Sequence, residues 1–297
     1  MPMRIAVTGQ SGQIVLSMLE RAPADSAVIA LGRPSLDLAD LPTIAPAIIA
    51  ARPDIVVNAA AYTAVDQAET EPELARLVNG AAAGEVAKAA AGLGVPIVQI
   101  STDYVFDGAL DRPYREDDPV GPVSAYGGSK LAGERAVAAA TPDHAILRTA
   151  WVYSPFGRNF VKTMLRLAET RDEIGVVADQ LGCPTSALDI ADAVFAVARN
   201  LVARPGDAGL RGIFHMTAEG EAAWADVAEA IFAERERLGG SPVRVRRIAT
   251  ADYPTPARRP ANSRLDCRKL SARHGVRLPK WRDSLTTCVE RLLENQE

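Results

Sequence analysis

Tyr126 and Lys130 stand four residues apart in Ser124-Ala125-Tyr126-Gly127-Gly128-Ser129-Lys130, downstream of Ser101-Thr102-Asp103 and of a glycine loop, Gly9-Gln10-Ser11-Gly12. On a helix, residues i and i+4 share one face, so the phenol and the ammonium can point into a common cleft. A free phenol has a pKa of about 10 and gives up its proton reluctantly at neutral pH. A nearby positive charge favours phenolate, and Lys130 is expected to lower the pKa of Tyr126 in this way. The pair alone is weak evidence, because Tyr-x-x-x-Lys arises by chance in many helices. Taken alone, Thr102 reads as a strand-end hydroxyl capping a turn and Asp103 as an Asx turn. The glycine loop changes their meaning. If it holds a nicotinamide cofactor, Tyr126 can protonate the oxygen of a carbonyl that receives hydride, and the Thr102 hydroxyl can hydrogen-bond the same oxygen.

The elements that must position this group are legible in the first half of the chain. Met3-Arg4-Ile5-Ala6-Val7-Thr8 reads as a short strand and runs straight into Gly9 and Gly12. A strand that ends in glycines and opens into a helix offers backbone N–H groups and a positive helix end to a phosphate. The loop departs from G-x-G-x-x-G, since Val15 stands where a third glycine would fall, and a plain strand-to-helix turn is the competing reading. Further strands are expected at 27–31, 55–57, 95–100 and 145–147, with helices near 12–21, 41–51, 72–93 and 124–140. That alternation indicates an α/β fold, a Rossmann-type doubly wound parallel sheet covered by helices on both sides. Ligands of such sheets bind at the carboxyl ends of the strands. Gly9, Arg33, Asn58 to Tyr62 and Ser101 to Asp103 all fall at those ends.

Past residue 150 the regularity weakens, with helices expected near 187–202, 222–238 and 282–294. The expected organisation is a nucleotide-binding domain over 1–150, with 187–216 returning to its sheet. A smaller discontinuous α/β substrate lobe is made of 151–186 and 217–297. Between Pro242 and Arg282 twelve Lys or Arg residues face two acidic ones, Asp252 and Asp266, in a chain of net charge −4. The excess reads either as a site for an anionic ligand or as a solvated basic face balanced by acidic helices elsewhere. Nucleic acid is the poorer partner, because no binding module is recognisable and the overall charge is negative.

With 297 residues and 48% hydrophobic composition, the chain can bury a full domain and a smaller one. Cys183, Cys267 and Cys288 lie far apart and show no metal-ligand spacing, so neither a disulfide framework nor a zinc site is indicated. The scattered His144, His215 and His274 read as structural. A strand beginning at residue 3 leaves no room for a signal peptide, and no apolar run reaches the ~20 residues of a membrane span. A cytoplasmic, membrane-free protein is expected.

Several stretches together resemble one family. They are Gly9-Gln10-Ser11-Gly12-Gln13, Arg52 to Ala61, Ala64-Val65-Asp66-Gln67-Ala68-Glu69, Ser101-Thr102-Asp103-Tyr104-Val105-Phe106, Tyr126 to Glu134, Arg148-Thr149-Ala150-Trp151-Val152-Tyr153 and Arg259 to Leu265. The chain is similar over nearly its whole length to the dTDP-4-dehydrorhamnose reductase family of extended short-chain dehydrogenases/reductases. The Tyr and Lys are shared across that superfamily, whereas the Ser-Thr-Asp-Tyr-Val-Phe and Arg-Thr-x-Trp-Val-Tyr stretches are narrower. The resemblance implies NADPH-dependent reduction of the C4 ketone of dTDP-4-dehydro-6-deoxy-L-mannose to dTDP-L-rhamnose, a precursor of surface polysaccharide. It implies that Tyr126 donates the proton, with Lys130 and Thr102 assisting. It also implies that Thr102, Asp103 and Trp151 contact the sugar, and that Gly12, Gln13, Ile14, Ala61, Tyr62 and Thr63 line the cofactor. Arg259 and Asn262 are the candidates for the diphosphate.

Three departures from the family pattern matter. Val15 replaces the third glycine. At the end of the second strand, Gly32-Arg33 stands where an NAD site carries an acidic ribose ligand. A guanidinium there pairs with a 2′-phosphate and favours NADPH, with NADH as the second candidate and Asp37 and Leu38 on the adenosine side. Some bacterial relatives join dimers through magnesium held by glutamates, but Ser17 and Leu188 occupy the matching positions, so no metal is expected, and the chain is read as monomer or homodimer. The competing functions are another nucleotide-sugar reductase, epimerase or dehydratase, and a non-catalytic NADP-binding regulatory subunit of the methionine adenosyltransferase type.

Overall fold

The structure, a computed structural model, describes residues 1–294. The first half runs β1 (Met3–Thr8), α1 (Gln13–Glu20), β2 (Ser26–Leu31), α2 (Ile44–Ala51), β3 (Ile55–Asn58), α3 (Pro72–Arg76), α4 (Ala82–Leu93), β4 (Ile97–Thr102), α5 (Ala125–Ala140) and β5 (His144–Thr149). The second half runs β6 (Val152–Tyr153), α6 (Phe160–Leu167), β7 (Glu173–Val177), β8 (Leu181–Gly182), β9 (Thr185–Ser186), α7 (Ala187–Ala203), β10 (Gly212–His215), β11 (Ala222–Ala223), α8 (Trp224–Arg237), β12 (Arg244–Ile248), α9 (Arg268–His274) and α10 (Trp281–Glu294).

Six strands pair in the order β10-β5-β4-β3-β1-β2, every pair parallel. The Rossmann-type sheet expected from the alternation is thus the observed one. Every residue of β3 and β4 is buried, which is why Ile-Val-Val and Ile-Val-Gln-Ile read as continuous runs; a parallel sheet is covered on both faces. The chain order reverses between β1 and β3, and the crevice that ligands use in such sheets opens there.

Two apolar clusters flank the sheet. One joins α2 and α4 to the sheet through Ile44, Ile48, Val86 and Ala90. The other runs from Ile5 and Val7 through Phe195 and Phe214 to Ile231, Trp281 and Val289, so the second half shares a continuous core with the first. Beyond β5 the strands are short pairs: β7 with β12 in parallel, β6 with β9 in parallel, and β8 with β11 antiparallel. Two-residue strands carry no readable period, so sequence pattern did not announce them.

A single helix was expected over 72–93, but residues 77–81 form a wider π-type turn between α3 and α4. The Asn79 amide donates to the Tyr62 carbonyl (3.0 Å) and to Ser129 Oγ (2.9 Å), and its oxygen accepts from the Tyr62 N–H (2.8 Å). α5 also lies so close that a Cβ at Gly133 would come within 2.1 Å of the Asn79 carbonyl oxygen. Among the described residues no helix is long and apolar enough to cross a membrane.

Candidate active site

One cleft of about 1000 Å³ opens over the carboxyl ends of β1 to β5. That volume lies at the upper end of ordinary small-molecule sites. Its floor is the glycine loop. Gly9 sits at φ 100°, a conformation few side chains tolerate, and an added Cβ would meet Val15 Cγ2 at 3.2 Å and Ala60 Cβ at 3.3 Å. Val15 is buried against this turn and lines the floor of the cleft, so the place of the missing third glycine is filled by a side chain packed beneath the loop. At Gly12 an added Cβ would touch nothing within 4 Å, and no side chain caps the N-terminus of α1. An open backbone and an uncapped helix end fit a pyrophosphate.

The remaining cofactor candidates line the same cleft: Gln13, Ile14, Arg33, Asp37, Leu38, Ala61, Tyr62 and Thr63. Arg33 is exposed at the rim, free to meet an anionic group. Asp37 accepts the Ala39 N–H at 2.9 Å. Gln13 has a second task, since its Oε1 accepts from Ser154 Oγ and Asn159 Nδ2, both at 2.9 Å, tying α1 to the 154–159 loop of the second half. Tyr62 donates its hydroxyl proton to Glu71 at 2.7 Å. Burial and then Glu71 push its phenol up to about 12.

Thr102, Asp103, Tyr126 and Lys130 converge on this cleft. β4 ends at Thr102, whose hydroxyl donates to Asp103 Oδ1 at 2.9 Å and accepts the Tyr104 N–H at 3.2 Å. Ser124 caps α5 by accepting the Gly127 N–H at 3.1 Å, and the helix then places Tyr126 and Lys130 one turn apart. Tyr104 meets Tyr126 edge to face, with ring centroids 5.6 Å apart. Desolvation raises the Asp103 carboxyl to about 6, partly offset by the Ser263 and Thr102 hydroxyls.

Lys130 does not do what was expected of it. Its Nζ donates to the Ile100 carbonyl at 2.7 Å. The Tyr126 phenol is pushed above its ordinary value by burial and then by the charge of Asp103, with the Thr102 hydroxyl opposing them. The lysine Nζ is anchored on main chain, and burial together with Asp103 sets the net direction, so the phenol is held protonated and not lowered overall. Burial lowers Lys130 itself to about 8, against the upward pull of Glu134.

That carbonyl ends a buried chain of hydrogen bonds. Thr8 Oγ1 donates to Asn58 Oδ1 (2.7 Å), Asn58 Nδ2 to Gln99 Oε1 (2.7 Å), and Gln99 Nε2 to Ile100 O (2.8 Å). Three neighbouring strands thereby connect the glycine loop to the lysine, and donors running in one direction polarise one another. Glu134, one turn past Lys130, receives Ser101 Oγ (2.6 Å) and a bidentate pair from Arg148 (2.9 and 2.7 Å) with both partners buried. Asn58 and Ser101 were expected at the ligand-binding strand ends, whereas Thr8, Gln99, Glu134 and Arg148 were not foreseen as part of the site. The signal was position: Asn58, Gln99 and Ser101 stand at or near strand ends.

Trp151 also reaches the cleft, in a left-handed backbone conformation with φ 48°, stacked on Trp224 with ring centroids 3.6 Å apart. Trp224 was missed, because nothing in the stretch Ala222-Ala223-Trp224 distinguishes a lining tryptophan from a core one. Arg259 and Asn262 are not brought into the cleft lining. Arg259 pairs with Asp66 at 2.9 Å. The buried Asn262 donates to the Leu110 and Arg112 carbonyls and accepts from the Arg264 N–H and Nε, so its amide is consumed in holding the 110–112 loop. The basic segment resolves the same way. Arg244 and Arg246 pair with Glu173, Arg247 with Asp226 and Glu229, Arg264 with Glu221, and Arg268 with Asp266. Six of its twelve cations, Arg259 among them, are matched to acidic side chains. Ser17 is buried and donates to the Gln13 carbonyl, and Leu188 is half-buried at the start of α7.

A family model described as the RmlD substrate binding domain matches residues 3–294. The chain is 55% identical over 291 residues to dTDP-4-dehydrorhamnose reductase of Sinorhizobium fredii, covering 98% of each protein. Among solved structures it resembles a dTDP-4-dehydrorhamnose reductase from Clostridium acetobutylicum, with TM-score 0.90, 38% identity, and 98% and 100% of the two chains covered. It also resembles the enzyme of that name from Bacillus anthracis in complex with NADP, with TM-score 0.90, 33% identity, and 99% and 100% covered.

Proposed function

The chain belongs to the dTDP-4-dehydrorhamnose reductase family, and we propose that it reduces the C4 ketone of dTDP-4-dehydro-6-deoxy-L-mannose to give dTDP-L-rhamnose, with NADPH as reductant. The observation that carries this reading is the convergence of an open glycine loop, the Thr102–Tyr126–Lys130 group and Trp151 on one cleft. Similar proteins carry the reductase name over their full length, which favours turnover over the regulatory-subunit alternative.

NADPH, when bound, supplies the hydride. Gly9, Gly12 and the first turn of α1 would hold its pyrophosphate, with Arg33 toward the 2′-phosphate and Asp37 and Leu38 beside the adenosine; Gln13, Ile14, Ala61, Tyr62 and Thr63 would line it. Tyr126 gives its proton to O4 as that oxygen gains alkoxide character. An alkoxide is more basic than a phenolate, so a phenol with a raised pKa still donates downhill and stays protonated until it is needed. The Thr102 hydroxyl, whose single proton goes to Asp103 Oδ1 in the structure, would turn that proton to the same oxygen as the second donor. Lys130, fixed on Ile100 O, places positive charge beside the site where tyrosinate is left. The second lobe, proposed as 151–186 and 217–297 with its last three residues outside those described, carries the sugar nucleotide. The first, 1–150 with 187–216, carries the cofactor. A cytoplasmic monomer or homodimer without bridging magnesium completes the proposal.

The test is loss of NADPH absorbance with the dTDP-4-keto sugar formed in situ from dTDP-glucose, and identification of the product by mass and NMR. Formation of dTDP-L-rhamnose is expected; an inert protein, or a product altered elsewhere than C4, would remove the proposal.

A further inference from the structure

Two of the chain's three tryptophans meet in this cleft, Trp151 and Trp224, their planes 7° apart and their centroids 3.6 Å apart. Each comes from a different element: Trp151 follows β5, and Trp224 is the first residue of α8. Neither is free to turn away. The Trp151 ring lies so close to Gly182 that a Cβ there would come within 2.3 Å of it. Its backbone, at φ 48°, occupies a region that bulky residues avoid unless their surroundings impose it. Trp224 is braced by Phe160 at 4.6 Å between centroids. The start of its helix is fixed by Asp226, which accepts the Ala223 N–H at 2.7 Å and pairs with Arg247.

We propose that Trp224 is a specificity-determining residue, and that the Trp151–Trp224 stack forms a rigid apolar wall selecting sugars that carry a methyl group at C6. The inference rests on the nucleotide-sugar reading above. The faces of two stacked indoles offer no hydrogen-bond acceptor. A C6 methyl laid against them gains burial, whereas a hydroxymethyl group would lose its water without replacement. Trp151 is held both by its close approach to Gly182 and by the stacked Trp224 ring, so the two rings present one fixed surface. Trp224 acts both as the brace and as part of the wall.

The experiment compares kcat/KM for a 4-keto-6-deoxyhexose nucleotide with that for the corresponding 4-keto pentose nucleotide, which lacks C6, in the wild type, Trp224→Ala and Trp224→Phe. One apolar carbon in a fitted pocket is worth roughly 10–200-fold. The wild type should prefer the deoxyhexose by about that factor. Trp224→Ala should bring the two substrates toward parity, and Trp224→Phe, which keeps a stacking ring, should retain most of the preference. Circular dichroism gives a readout independent of turnover. Coupled indoles produce an exciton couplet, expected in the wild type and lost in Trp224→Phe while the protein stays folded. Should Trp224→Ala fail to fold, Trp224→Leu takes its place. An unchanged preference in the folded Ala or Leu variant overturns the proposal, as does a wild type without the couplet. A wild type that shows the couplet but turns over neither sugar overturns the underlying functional reading, and this inference with it.

Discussion

The Tyr126 phenol stands ready as a protonated acid, because burial and the Asp103 carboxylate both oppose its ionisation. Replacing it by Phe removes the proton but leaves the glycine loop intact. Tyr126→Phe should therefore lower kcat by about 10²-fold or more with the Kd for NADPH nearly unchanged, as checked by steady-state kinetics and cofactor titration. Lys130 sets a second expectation. Its charged form is disfavoured by burial, and its pKa lies near 8. As pH rises through that value the ammonium is lost, and with it the charge that compensates tyrosinate, so kcat/KM should fall on the alkaline side. Glu134 pulls the Lys130 pKa upward. Glu134→Gln should then move the alkaline limb to lower pH, measured beside a melting curve because Arg148 loses its buried partner. Arg33 gives a third: Arg33→Ala should raise KM for NADPH more than for NADH, by the roughly 1.5–3 kcal/mol of a charge-assisted bond. At this scale the meeting of Tyr126, Lys130, Thr102 and the glycines in one cleft was legible, because their spacing and their place at strand ends bring them together. The partners of Asn262 and Arg259 were not legible, because they depend on which loop folds beside the side chain, and here they are the 110–112 carbonyls and Asp66.

Among the elements, α5 carries Tyr126 and Lys130, and its seat is the π-type turn at 77–81. Gly133 lets α5 approach the turn closely, and Asn79 fastens the turn to Tyr62 on one side and Ser129 on the other. Ser129 lies between Tyr126 and Lys130, so this clasp aligns the cofactor-lining loop with the proton donor. A methyl group at 133 has nowhere to go but into the Asn79 carbonyl. Gly133→Ala should cost about 1–3 kcal/mol of stability and lower kcat as α5 is displaced, read from thermal unfolding and kinetics on one preparation. Continuous apolar runs and alanine-rich stretches located the parallel strands and the large helices to within a few residues. The π-type turn was invisible to them, because it is imposed by tertiary packing of Gly133 against Asn79 and not by local propensity.

Over the whole molecule, a parallel sheet brings four loops to one edge, and the second half closes over it through a shared core and a few polar ties such as Gln13 with Ser154 and Asn159. The return of β10 to pair with β5 makes the two halves interdependent. The strands of the second half are two to five residues long and were not separately readable, although the return of chain to the sheet near 212–215 was anticipated from the pattern. What the assembled molecule claims is that hydride donor, proton donor and sugar C4 meet in a single cleft. The most direct measurement supplies NADPH deuterated at the transferable position on the nicotinamide ring, together with dTDP-4-dehydro-6-deoxy-L-mannose, and locates the label in the product by NMR. Deuterium at C4 of dTDP-L-rhamnose, with none at other carbons, is the predicted result. Oxidation of the cofactor without label at C4, or no reaction at all, would contradict the account.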